Sequence, residues 1–144
     1  MLVETAPDQF HEILVQQNAG GRISPTVLLD AGDQKVLQTY YWSAGHPGSI
    51  EEFCFIFSES GPQLLDFDLV YEAGAKVVPG NRTMFRLFGG FDFGSLLWSA
   101  PTEWIDARTN PAHCCSGAGR IVVIFRLENG RASPTGATYE PASR

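Results

Sequence analysis

Apolar residues in this chain recur mostly at every second position, the spacing of half-buried strands, with one helical stretch before them. In residues 7–18, Phe10, Ile13 and Leu14 fall on one helical face. Thr5-Ala6-Pro7-Asp8 supplies an N-cap hydroxyl, a first-turn proline and an acid, and Gly20-Gly21 stops the run. From Ile23 the period is two. Thr26 to Leu29 and Val36 to Trp42 flank a glycine-containing turn and predict a hairpin. Phe53 to Phe57 and Leu64 to Glu72, separated by Ser60-Gly61-Pro62, predict a second. Phe53 to Phe57 is apolar on both faces, as in a strand covered on both sides. In Leu64 to Glu72, Leu65, Phe67, Leu69 and Tyr71 alternate with Asp66, Asp68 and Glu72.

Further along, Thr83 to Phe88 and Ile121 to Leu127 read as strands, the latter with Ile121, Val123, Phe125 and Leu127 on its apolar face. Residues 89–119 are the least regular stretch, with a short helix expected at Pro101 to Arg108 behind Ser99. Residues 130–144 lack periodicity and are rich in Pro, Ser, Ala, Thr and Gly, which predicts a flexible tail. The expected architecture is mainly β: one antiparallel barrel or sandwich of seven or eight strands over residues 1–129, with one N-terminal helix.

At 144 residues a single domain is the default, and a chain of this length needs no metal or disulfide to fold. A formal net charge of -6 argues against non-specific nucleic-acid binding, which draws its affinity from basic residues on phosphates. No apolar run approaches the roughly 20 residues of a membrane helix, and MLVETAPD does not read as a secretory leader. A cytoplasmic location with reduced thiols is therefore expected. The 17 aromatic residues (ten Phe, four Tyr, three Trp) exceed what a small core needs. Some are expected to line a pocket or an interface, although strands also favour them.

Three groups of residues carry candidate chemistry. Asp66 and Asp68, on one strand face about 7 Å apart, would suit an acid/base pair, with Arg86 across from them and His46 in the loop Ala44 to Gly48 as proton carrier. The plainer reading is a solvated charge ladder on an open sheet. Cys54 reads as a small buried hydrophobe. His113-Cys114-Cys115 lacks the paired C-x-x-C spacing of structural zinc sites, so no metal is expected. Phe88-Gly89-Gly90-Phe91-Asp92-Phe93-Gly94 interleaves rings with flexible positions, and with Tyr41, Trp42 and Trp98 it forms the candidate contact set. Neither a Walker loop nor G-x-G-x-x-G is present, and G-x-S-x-G is also missing.

The order helix, Gly21-Arg22-Ile23, hairpin, second hairpin and Lys76 resembles the start of the split-barrel flavin-binding family related to pyridoxamine phosphate oxidase. The resemblance implies a flavin cofactor. The family's phosphate-binding basic cluster finds only Lys76 and Arg82 as counterparts.

Two functions follow as expectations. The first is a binding or assembly module that presents Tyr41, Trp42, Phe91, Phe93 and Trp98 to a protein partner or a second copy, without cofactor, nucleic acid or membrane. The second is a small metal-independent barrel enzyme, isomerase-like or flavin-binding, acting on an apolar small molecule through His46, Asp66, Asp68 and Arg86.

Overall fold

The computed structural model describes residues 2–7, 9–12, 22–42, 50–58, 61–84, 89–104 and 118–142. The chain is mainly β and divides into two compact units, residues 1–65 and 66–144, where the sequence predicts one domain. Twelve strands and one helix are present among the described residues, against the seven or eight strands expected.

The first unit opens with an antiparallel pair, β1 (Leu2–Ala6) and β2 (Gln9–Glu12). Residues 9–12 are thus strand where their spacing predicts a helix, and residues 13–18 lie outside the described ones. Four residues are too few to separate the two periods, and pairing with β1 decides them.

A five-stranded antiparallel sheet follows: β3 (Arg22–Ile23) and β4 (Val27–Ala31) on one side of β5 (Gln34–Trp42), then β6 (Ile50–Ser58) and β7 (Gly61–Leu64). The first expected hairpin forms. The second takes another return strand: β6 turns back into Gly61–Leu64, where Gly61 and Pro62 are expected in the turn, rather than into Leu64 to Glu72. In the first turn Gly32, at φ 67, takes a position that two-residue hairpin loops reserve for positive φ. Ser24 stitches the break between β3 and β4 to β5. Its N–H donates to Tyr40 O at 2.8 Å, and its hydroxyl accepts from Tyr40 N–H at 3.0 Å. Cys54, Phe55 and Ile56 are buried in succession, so β6 is covered on both faces there, although Phe57 is exposed.

The second unit starts at Asp66, and here the expected strand Leu64 to Glu72 gives way to a helix, α1 (Asp68–Val77). The alternation of residues 65–71 is real, but Phe67, Val70, Tyr71 and Gly74 also fall at i, i+3, i+4 and i+7, one helical face. Val70 and Gly74 are buried, and Leu69 lies on the open side. Asp68 in the first turn and Lys76 in the last suit the helix dipole, and Pro79 follows the C-terminal end.

The helix packs on the sheet β12-β11-β10-β8, with β9 (Gly90–Asp92) also on β10; β8 is Arg82–Met84, β10 Leu97–Trp104, β11 Gly119–Glu128 and β12 Arg131–Pro141. Residues 101–104 are strand rather than the short helix expected, while 105–108 lie outside the described residues. Trp98, Ala100 and Thr102 are buried alternately. β8 and β9 pair with β10 on one side. On its other side β10 pairs with β11, Pro101 standing opposite Arg120.

The expected tail is also overturned: Arg131–Pro141 pairs with β11 along its length. Asn129 (φ 51) and Gly130 (φ 74) form the two-residue turn that sets this register. Pro134 is tolerated because β12 is an edge strand and the ladder slips one residue beside it, between Ile124 and Phe125. At the far end, Tyr139 O–H donates to Ala118 O.

Candidate functional site

Most of the expected contact residues are core. Phe93 and Trp98 are 2% and 1% exposed and Tyr41 is 3%. Phe91 is half-buried between Phe67, at 4.0 Å between ring centres, and Phe93, at 5.7 Å. Tyr71 meets Trp98 edge-on at 5.2 Å, and Phe125 closes the group against Phe91 and Phe93. The described rings Phe67, Tyr71, Phe91, Phe93, Trp98 and Phe125 thus pack on one another, where each ring pair adds about 0.5–1.5 kcal/mol beyond area burial. Trp42 ends β5, its side chain outside the described residues.

Of the expected acid/base set, Asp66 and Asp68 lie among the described residues. Asp66 and Asp68 share no strand face, since the helix begins between them. Asp68 is exposed. Asp66 is a fastener: its backbone N–H donates to Gly130 O at 3.1 Å, and its carbonyl accepts from Ala132 N–H at 2.9 Å. Its carboxylate accepts from the Asp68 N–H at 2.9 Å and from Arg131 Nε at 3.0 Å. With Glu128, Asn129, Gly130, Arg131 and Ser133 it lines an open depression of about 360 Å³. That depression is charge-balanced, because Asp66 meets Arg131 and Glu128 meets Arg126 at 3.0 Å.

His46, Arg86, His113, Cys114 and Cys115 lie outside the described residues. Among the described residues no three His, Cys, Asp or Glu side chains converge to hold a metal ion, and no helix is long and apolar enough to cross a membrane. The element order behind the flavoprotein resemblance changes too. Residues 9–12 are strand, and Lys76 lies in the last turn of α1.

The first unit's sheet holds two arrangements that sequence reading missed. On one face, Leu28 stands opposite Leu37, Leu37 opposite Phe55 and Phe55 opposite Leu64, so one apolar row crosses four strands. Its middle is buried (Leu37 8%, Phe55 4%), whereas its ends on the two edge strands are open, Leu28 at 57% and Leu64 at 56%. Phe57 lies two residues along on the same face and Val27 neighbours Leu28 on the other, both exposed. The individual leucines carried no signal; the row exists only once the register is known.

On the opposite face Tyr40 pairs with Glu52 and Gln38 with Cys54. Gln38 Nε2 donates to the Glu52 carboxylate, and the Cys54 thiol lies 3.7 Å from the same oxygen. Burial raises the Glu52 pKa, against the opposing effect of hydrogen bonds from Gln38, Cys54 and Tyr40. Burial, then the Glu52 charge, raises the Tyr40 phenol. The same two causes push the Cys54 thiol up, so it remains a neutral thiol rather than a nucleophile. The sequence signal for this group is the acid Glu52 directly ahead of an apolar strand core, which reads equally as a strand end.

No protein-family profile matches the chain, and no similar protein is found among curated proteins or solved structures.

Proposed function

We propose that this chain is a non-catalytic binding module that takes an extended, apolar segment of a partner protein on the outer edge of β4. The observation that carries the reading is the row Leu28–Leu37–Phe55–Leu64, buried at its centre and open at both ends. Edge strands offer unpaired N–H and C=O groups to another strand, and soluble proteins usually guard them with charge. Here the exposed positions of β4 include Val27 and Leu28, with Asp30 and its Lys35 partner guarding only the turn end. A segment with apolar residues at alternate positions would add backbone bonds along β4 and cover Leu28.

The test is selection of extended peptides on the full chain, followed by amide exchange of the complex. The reading expects new protection at Val27–Ala31 and loss of binding in Leu28→Lys with the fold unchanged. Protection elsewhere, or equal binding by Leu28→Lys, overturns it. Protection of β4 that rises with protein concentration in the absence of peptide would identify the partner as a second copy.

A second reading attaches to Glu52. A carboxyl whose pKa is raised by burial, beside a phenol, is a usual setting for acid/base work on a small molecule. It keeps the enzyme class alive with Glu52 and Tyr40 in place of Asp66 and Asp68, and a Glu52→Gln variant separates it from the binding reading, which that change leaves intact.

A further inference from the structure

Of the four asparagines in the chain, Asn129 alone is followed by glycine; Asn18, Asn81 and Asn110 precede Ala, Arg and Pro. Asn129 is exposed at the tip of the β11–β12 hairpin, and both turn residues hold positive φ. They stand outside the ladder, whose last pair is Glu128 with Arg131. Gly130 has no Cβ to shield its backbone nitrogen.

We propose that Asn129 is a self-modification site, converted in water to aspartate and isoaspartate, with the Asp66 fastener setting the rate. The Gly130 nitrogen attacks Asn129 Cγ, forming a C–N bond and a five-membered imide. Asn129 Nδ2 leaves as ammonia, taking the proton that the Gly130 nitrogen gives up. Water then opens the imide. Cleavage of the new bond leaves aspartate, and cleavage of the original peptide bond leaves isoaspartate, with the main chain now running through Cγ. Water is the one co-reactant, and no electron changes hands.

Ring closure needs the peptide joining Asn129 to Gly130 to swing towards the side chain, and the fold opposes that swing. Gly130 O accepts from Asp66 N–H, and the following residue, Arg131, is held by the Asp66 carboxylate. Reaction therefore proceeds from a locally opened hairpin tip. Isoaspartate adds a main-chain atom to a two-residue turn, which the pairs Glu128–Arg131 and Leu127–Ala132 cannot absorb without losing register. Either product also sets a new carboxylate beside Glu128 and Asp66.

The full chain is incubated in mildly alkaline buffer and mapped by mass spectrometry that distinguishes isoaspartate. Acid forms are expected at Asn129 well before the other three asparagines, and several-fold faster in Asp66→Ala and Arg131→Gln. Retention of the Asn129 amide in folded protein, under conditions that convert it in urea, overturns the site. Rates in both variants equal to that of the parent chain overturn the role given to Asp66.

Discussion

The two units spend their hydrophobic residues differently. In residues 66–144, α1 covers one face of the sheet, and Phe67, Tyr71, Phe91, Phe93, Trp98 and Phe125 close on one another beneath it. In residues 1–65 the described elements are all strands, and Ile23, Val27, Leu28, Phe57 and Leu64 are exposed. The second unit exposes only Leu69 and Ile124 among its described large hydrophobics. The sheet under α1 buries its apolar face, whereas the described strands of the first unit leave apolar side chains open at β3, β4, β7 and the end of β6. The proposed partner site rests on that contrast in exposed apolar surface.

The largest expected effect tests the closed cluster. Trp98→Ala should cost about 3–5 kcal/mol, read as a lower urea midpoint, because a fully buried indole leaves a cavity its neighbours cannot fill. A loss under 1 kcal/mol would mean that the cluster is not the core of its unit. Next is overpacking: a Cβ on Gly74 would lie 2.9 Å from Trp98 Cζ3 and 3.3 Å from Ile121 Cγ2. Gly74→Ala should therefore destabilise by about 1–3 kcal/mol despite alanine's higher helix propensity.

Asp66→Ala removes bonds to the helix start and to Arg131 and should cost about 1–2 kcal/mol in the same assay. In the first unit, the raised Glu52 pKa sets a pH dependence. Above the ordinary glutamate value of 4.5 the folded chain keeps a proton the unfolded chain has released, so this group lowers stability as pH rises through its folded value. Glu52→Gln should flatten that limb in denaturation curves taken across pH. Smallest is Leu28→Lys, expected to move stability by no more than about 0.5 kcal/mol while removing partner binding.

Strands with an unambiguous pattern were legible in the sequence: the alternating inner face of β11, the β4–β5 hairpin around its glycine turn and the continuous apolar run of β6. The failures share a cause, a local pattern that two structures could satisfy. Residues 65–71 alternate, yet extending the window to Gly74 brings out the helical face. Residues 131–141 have the composition of a tail but follow Asn129-Gly130, the strongest short hairpin signal there is, and β11 supplies the partner that composition cannot reveal. The site residues were less legible because their meaning lies in register. Leu28, Leu64 and Glu52 are unremarkable in sequence and acquire neighbours only when β4 to β7 align.

The grip on Trp98 has an optical consequence. Cβ positions built on Gly74 and Gly89 both fall within 3 Å of the indole, and Tyr71 meets it edge-on, so its surroundings are rigid, apolar and chiral. Such a ring emits at short wavelength and gives strong near-ultraviolet circular dichroism. With Trp42 and Trp104 replaced by phenylalanine, Trp98 would be the chain's one indole. Its spectrum would then report the opening of residues 66–144 alone, while the far-ultraviolet signal follows the strands of the whole chain.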